Sequence, residues 1–293
     1  MPSPSSPDSS TYSLLLSCLS GLSRSQVSVD LNPLYDRVQH PNVKLEESIE
    51  EIWDKRKQDN SSLYNGLKFR HAGYSLKQLD GPSQAPSVCL HLGLTDYRTF
   101  VGTNLNPLWM NFLVTSEDDN VRCQHTSNPL GNGAIVETAD KKILLLQRSA
   151  NVGEFPGYFV FPGGHSEPRE IGILSHLPEN ARSDLEDLNG KVCKEMFDGI
   201  IREVVEEIGV LPTSLSVPIF IGISQRLENV RPTAFFFLRC DMQSNEIHDV
   251  YCHAQDGFES TQLYSVSKEE IGPFTRRMPG CHQGGLRLYE LME

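Results

Sequence analysis

Glu203, Glu206 and Glu207, in the stretch REVVEEIGV at 202–210, stand at i, i+3 and i+4. On a helix, that spacing brings three carboxylates onto one face. Like charges packed this way destabilise an isolated helix, so the cluster calls for a compensating partner. Hard divalent cations such as Mg2+ take oxygen ligands from a few carboxylates and complete their shell with water and substrate phosphate. The competing reading is a solvated acidic face, the reading we give to LEESIEEIW at 45–53, which carries more glutamates.

The context upstream separates the two stretches. FPGGHSEPRE at 161–170 supplies a Pro-Gly-Gly turn, then Gly164 and Glu170 separated by five residues. Together with REVVEEIGV this resembles the nudix box, G-x5-E-x7-R-E-U-x-E-E-x-G-U, with U an aliphatic residue. Arg202, Glu203, Val204, Glu206, Glu207, Gly209 and Val210 meet every named position of its second half. The spacing departs: thirty-one residues separate Glu170 from Arg202, where the pattern has seven, so twenty-four are inserted. GGHSEP, a long polar segment and only then the carboxylate helix resemble the nudix uridine diphosphate glucose pyrophosphatases and their plant relatives. LGLTDYRTFVGTN at 92–104 and QRSANVGEFPGYFVFPGGH at 147–165 carry the same likeness, which extends from about Leu14 onward.

The resemblance implies an α/β protein, a nudix α/β/α sandwich with a small α/β N-terminal domain. It implies Mg2+-dependent hydrolysis of the pyrophosphate of a nucleoside diphosphate sugar, with Mn2+ as an alternative ion. UDP-glucose or UDP-galactose comes first as substrate and GDP-mannose second. Nudix relatives use the carboxylate triplet for metal, which makes Glu203 and Glu207 ligands and Glu206 a third ligand or a base ordering water. The box arginine of relatives pairs with an acidic box residue, here Glu170 or Glu167.

Other residues carry a plain reading beside the implied one. Arg148, at a strand end, is by itself an ordinary surface arginine, whereas the matching arginine of the subgroup contacts phosphate. His165 and Glu167 sit beside the box glycines, placed to meet a phosphate and a metal or sugar hydroxyl. Gly153, Glu154, Phe155 and Pro156 form either a sugar-pocket loop or a simple hairpin loop. Tyr64 and Tyr97 match subgroup aromatics that sandwich the nucleobase, and are otherwise packing residues. Glu259, in DGFESTQ, is a candidate catalytic base because nudix enzymes often draw that base from a late loop. A departure occurs at Val160: an acidic residue there in a metazoan-type relative would accept a sugar hydroxyl, so both sugar and base stay open.

Composition bounds the remaining choices. With 293 residues, 38% of them hydrophobic, the chain can bury a substantial core. No run approaches the about eighteen apolar residues of a membrane span. A net charge of −12 argues against nucleic-acid and membrane partners and leaves a small-molecule nucleotide sugar. Cys18, Cys89, Cys123, Cys193, Cys240, Cys252 and Cys281 are odd in number and form no C-x-x-C pair. That pattern fits reduced thiols in the cytosol and not a disulfide framework or zinc site.

Composition and periodicity divide the chain into a disordered Pro/Ser-rich tail (1–11), an N-terminal α/β unit (12–115), a polar linker (116–131) and a second unit (132–293), which the resemblance implies is the nudix hydrolase domain. Strands are expected at 12–18, 26–31, 67–76, 87–94, 133–138, 142–148, 158–161, 217–226, 233–240 and 259–266. Helices are expected at 45–58, from 96 with Thr95 as N-cap, at 107–115, at 191–208 and at 284–292. The inserted segment 171–189 reads as a tolerant surface loop, and the base pocket is expected between the two units. Alternatives within the family are hydrolysis of coenzyme A or an inactive nucleotide-binding module. The intact triplet speaks against the module, since a pure binder need not keep three facing carboxylates. The oligomeric state is open.

Overall fold

The computed structural model describes residues 10–77, 86–150, 152–178, 184–251 and 260–292. Its first strands are β1 (Tyr12–Leu22), β2 (Val27–Leu31), β3 (Leu67–Lys77), β4 (Ser87–Asp96) and β5 (Gly131–Glu137). The later strands are β6 (Ile143–Arg148), β7 (Phe159–Val160), β8 (Ile219–Arg226), β9 (Pro232–Arg239) and β10 (Ser260–Val266). Helices are α1 (Val43–Asp59), α2 (Tyr97–Gly102), α3 (Asp119–Arg122) and α4 (Leu185–Ile208). They are followed by α5 (Ser244–Tyr251), α6 (Gly272–Thr275) and α7 (Gly280–Met292).

Among the described residues, one sheet runs β1-β8-β9-β5-β6-β10, with β7 also paired to β6. The β5–β9 pair is parallel and its other pairs are antiparallel. The runs ILLL and FFFL are continuous because this sheet is covered on both faces, so neither set of alternating side chains meets water. Ala134, Val136, Leu144 and Leu146 join the core that holds Val192, Met196, Ile200 and Val204 of α4. Their neighbours Ile135, Ile143 and Leu145 join a second core with Leu286, Leu288 and Tyr289 of α7. The α/β/α layering follows from that alternation.

A smaller sheet, β2-β4-β3, has a parallel β2–β4 pair and an antiparallel β3–β4 pair. Val27, Val29 and Leu31 pack into the same core as α4. The Cys193 thiol donates to the Val27 carbonyl at 3.2 Å, and the Leu31 N–H donates to Asn189 Oδ1 at 2.9 Å. Helix α4 therefore lies between the two sheets. It ends at Gly209, whose φ of 84° makes the left-handed turn that closes a helix at low cost.

Several expectations need correction. Strand β1, assigned to the N-terminal unit, pairs antiparallel with β8 and belongs to the larger sheet. The expected linker 116–131 carries the short α3, and from His125 to Leu130 it is buried, so it packs as core and not as a tether. Asp96, not Thr95, caps α2, accepting from Thr99 N at 2.8 Å, while Thr95 Oγ1 bonds Ser127 Oγ at 2.6 Å. Of 107–115 only Trp109–Phe112 is helical, as a single 3-10 turn. The inserted segment is no loose loop: Ile173 is buried in the core, and α4 begins within it at Leu185.

The 1–11 tail lies outside the described residues up to residue 9. Cys18, Cys89, Cys123, Cys193, Cys240 and Cys281 are free, and Cys252 lies outside the described residues. Among the described residues, no helix is long and apolar enough to cross a membrane.

Candidate active site

The Pro-Gly-Gly turn follows β7 and meets α4 through its carboxylates. Gly163 has φ of 148°, and a Cβ there would sit 2.2 Å from the Asn132 carbonyl oxygen, so only glycine fits. Its N–H donates to Glu207 Oε2 at 2.8 Å. A Cβ on Gly164 would fall 2.3 Å from Glu203 Oε1, which also accepts from the His165 N–H at 3.3 Å. Asn132 N and Ala134 N donate to the Gly164 and Pro162 carbonyls, fastening the turn to β5. Two glutamates one helical turn apart thus grip the backbone of the glycine turn.

These groups face a cavity of about 440 Å3. Glu203 and Glu207 line one wall, together with Gly163, Gly164, His165 and Glu167. Arg148 ends β6 and Gly153, Glu154 and Phe155 come from the β6–β7 connection, while Arg226 ends β8 and Arg231 comes from the β8–β9 turn. Lys68, Tyr97 and Phe100 reach in from the N-terminal elements, and Cys281 and His282 from the start of α7. Three expected residues, Glu206, Tyr64 and Pro156, stand outside this lining. Glu259 lies outside the described residues.

The cationic wall is knit to a single carboxylate. Glu154 Oε1 accepts from Arg226 Nη2 at 2.5 Å, and its Oε2 accepts from Arg231 Nη1 at 3.2 Å. Arg148 Nε donates to the Glu154 carbonyl at 3.0 Å. Burial pushes the Glu154 carboxyl up, but Arg226 and Arg231 outweigh it and hold the group below its usual range. Arg231 Nη2 lies 2.7 Å from His165 Nε2. A guanidinium only donates, so His165 Nε2 accepts and the ring carries its proton on Nδ1. Burial, then Arg231 and Lys68, hold that imidazole well below its usual range, which keeps it neutral.

Arg202 differs from expectation. Its Nη2 donates to Glu195 Oε1 at 2.5 Å, within α4, and not to Glu170 or Glu167. Glu167 instead pairs with Lys68 across from the N-terminal sheet, and Glu170 is exposed. Tyr64 is 59% exposed with the Arg169 guanidinium 5.2 Å from its ring centroid. Tyr97 packs edge-on to Trp53, and the Gly66 carbonyl accepts from its N–H at 2.9 Å. The two tyrosines are therefore held by one pair of neighbouring segments, with only Tyr97 reaching the cavity.

Lys68, Asn132, Arg226, Arg231 and His282 escaped the reading of the sequence. Arg226 offered the one usable signal, an arginine closing a strand in an acidic chain, matched five positions later by Arg231.

Among the described residues, no three acidic, histidine or cysteine side chains converge as a preformed metal set. Glu203 and Glu207 nevertheless place hard oxygen donors on one wall. Asn132 Oδ1, on a side chain that also lines the cavity, is buried without a hydrogen-bond partner. That donor chemistry fits a hard divalent cation.

No protein-family model matches the chain. It is similar to Nudix hydrolase 9 of Arabidopsis thaliana, 61% identical over 287 residues, covering 98% of this chain and 92% of that protein. It is also similar to the uridine diphosphate glucose pyrophosphatase NUDT22 of Mus musculus, 34% identical over 268 residues, covering 88% and 82%. Among solved structures, the MutT protein from Methanosarcina mazei Go1 covers 55% of this chain and 92% of its own, at 19% identity and a TM-score of 0.34. Sharing that degree of identity with a named Nudix hydrolase along almost its full length, the chain belongs to the Nudix hydrolase family.

Proposed function

We propose that the protein hydrolyses the pyrophosphate bond of a nucleoside diphosphate sugar in a Mg2+-dependent reaction. UDP-glucose or UDP-galactose comes first, GDP-mannose second, and Mn2+ serves as an alternative ion. The supporting observation is one cavity that carries Glu203 and Glu207 on one wall, Arg148 on another and Tyr97 at its N-terminal side. Its volume of about 440 Å3 falls within the range of about 300–1,000 Å3 common for ligand pockets. The name of the mouse relative, a uridine diphosphate glucose pyrophosphatase, favours the uridine sugar.

In this reading Glu203 and Glu207 hold the ion, with Glu206 as a further ligand or as the base that orders water. Mg2+, when bound, neutralises charge on the phosphates. Arg148 and the neutral His165 meet phosphate oxygens, the arginine by charge and the histidine by a hydrogen bond. Glu167 meets the metal or a sugar hydroxyl, and the Gly153–Pro156 loop borders the sugar. Tyr97 stacks on the base, and Tyr64, which stands outside the cavity lining, is the weaker contributor. Glu259 is the late-loop candidate for the base. Water's oxygen bonds to one phosphorus and the bridging P–O bond breaks, releasing a nucleoside monophosphate and a sugar 1-phosphate. The free thiols fit a cytoplasmic setting.

A substrate panel tests this reading. Each nucleotide sugar, coenzyme A and NADH is incubated with Mg2+ or with chelator, then with a phosphatase that releases phosphate only from monoester products. We expect release from UDP-glucose with Mg2+ and none with chelator. Coenzyme A carries its own 3′-phosphate monoester, so release is counted above a blank without the hydrolase, and such release confined to coenzyme A would overturn the proposal.

A further inference from the structure

We propose that Arg226 and Arg231 form an oxyanion subsite for a substrate phosphoryl group, and that the Glu154 carboxylate is its resting counterion, displaced when the anion binds. The inference deepens the pyrophosphatase reading and rests on it for the identity of the natural ligand.

Both guanidiniums are fixed from behind. Arg226, 2% exposed, ends β8, and Arg231 precedes β9 across a turn whose Asn229 and Val230 have φ of 59° and 51°. Asn229 Oδ1 accepts from Arg226 Nε at 2.6 Å. Asn104 Nδ2, fully buried at the end of the LGLTDYRTFVGTN stretch, donates to the Asn229 carbonyl at 2.8 Å. The rings of Phe155 and Phe100 lie 4.9 and 5.4 Å from the two guanidinium carbons. Two planar cations gripping both oxygens of one carboxylate present the fork that equally suits two phosphoryl oxygens. Arg231 Nε is buried without an acceptor, so the resting carboxylate leaves part of that donor set unused.

Before a metal binds, charge favours the exchange. The lining carries four cations (Lys68, Arg148, Arg226, Arg231) and four carboxylates (Glu154, Glu167, Glu203, Glu207). Lys68 is paired with Glu167. The cavity's cations are therefore already matched by its own carboxylates, and a diphosphate adds negative charge unless a carboxylate leaves. Glu203 and Glu207 are fixed on α4 and Glu167 is held by Lys68, which leaves Glu154, on the β6–β7 connection, as the carboxylate set against the two arginines. That loop includes Phe155 at φ of 50°, and the Cβ position of Gly153 meets nothing within 4 Å. Withdrawal of the loop takes Phe155 from Arg226, while Asn229 still holds Arg226 Nε and Phe100 still flanks Arg231.

Inorganic pyrophosphate is the probe, titrated calorimetrically without metal into wild type, Glu154→Gln and Arg231→Gln. We expect Glu154→Gln to bind at least about tenfold more tightly than wild type, because a competing charge is gone, and Arg231→Gln at least about tenfold more weakly. Affinity in Glu154→Gln equal to or below wild type would overturn the proposal, since a fixed structural partner gives that result. Unchanged affinity in Arg231→Gln would also overturn it. If Glu154→Gln does not fold, Arg231→Gln alone decides. Pyrophosphate carries neither nucleoside nor sugar, so a tenfold gain with no nucleotide-sugar hydrolysis would reject the substrate reading and keep the subsite.

Discussion

Arg202 donates to Glu195, seven residues earlier on the same helix, at 2.5 Å. The hydrogen bond to Glu195 is the main cause holding the guanidinium above its ordinary range. The Glu195 side chain is 5% exposed and that of Arg202 is 44% exposed, so the carboxylate sits inside and the arginine covers it. This pair braces the carboxylate helix from within, independently of the inserted segment. Glu195→Ala should lose about 1.5–3 kcal/mol, the range for a hydrogen bond to a charged group, while Glu170→Ala should lose less than about 0.5 kcal/mol. Urea unfolding compares them, and equal losses would contradict the assignment.

The insertion is structural. Ile173 is 4% exposed in the core shared by both sheets, and Asn189 accepts the Leu31 N–H. Ile173→Ala should cost about 2–4 kcal/mol, as cavities of that size do. Deleting twenty-four residues, 171–194, to reach the ordinary box spacing should yield protein that no longer unfolds cooperatively. A shortened chain with a wild-type melting transition would restore the surface-loop reading.

His71 links stability to acid. It is 6% exposed, and burial, reinforced by Arg70 and His91, lowers its pKa from the ordinary 6.5 to about 3. As pH falls through 6.5 the unfolded chain takes up a proton that the folded chain refuses until about pH 3. Stability is therefore lost progressively across that window, by about 2 kcal/mol from this residue at pH 5. Denaturant titrations at pH 7.5 and 5 should show a smaller difference in His71→Leu than in wild type, and an identical difference would refute the linkage.

Tyr97 reaches the cavity and Tyr64 does not, so the two should contribute unequally. Base stacking is worth roughly 1–3 kcal/mol, about 5- to 150-fold in affinity. Tyr97→Ala should weaken UMP binding by that order, and Tyr64→Ala by less. A titration in which Tyr97→Ala binds UMP and GMP like wild type would remove the base from this wall.

What the sequence made legible was local. The carboxylate spacing of Glu203, Glu206 and Glu207 and the glycine turn before them depend on neighbours within one helix or one turn, and motif spacing expresses that directly. Continuous apolar runs marked the central strands because both faces are covered. Pairing across the chain left no such trace. Nothing in YSLLLSC specifies β8 as its partner, and Arg226 and Glu154 meet only after the sheet forms. The helix partner of Arg202 was missed because the box pattern directs attention upstream, whereas a nearer carboxylate was already on the same helix.

The most direct test of the account follows UDP-glucose by phosphorus NMR with wild type, Glu203→Gln and Glu207→Gln at saturating Mg2+. Either change keeps the side-chain shape and removes one ligand charge. Wild type should convert the diphosphate pair of resonances into those of UMP and glucose 1-phosphate. Each variant should fold normally and turn over at least about 100-fold more slowly. Near-normal turnover by both variants, or no cleavage of UDP-glucose by wild type, would contradict it.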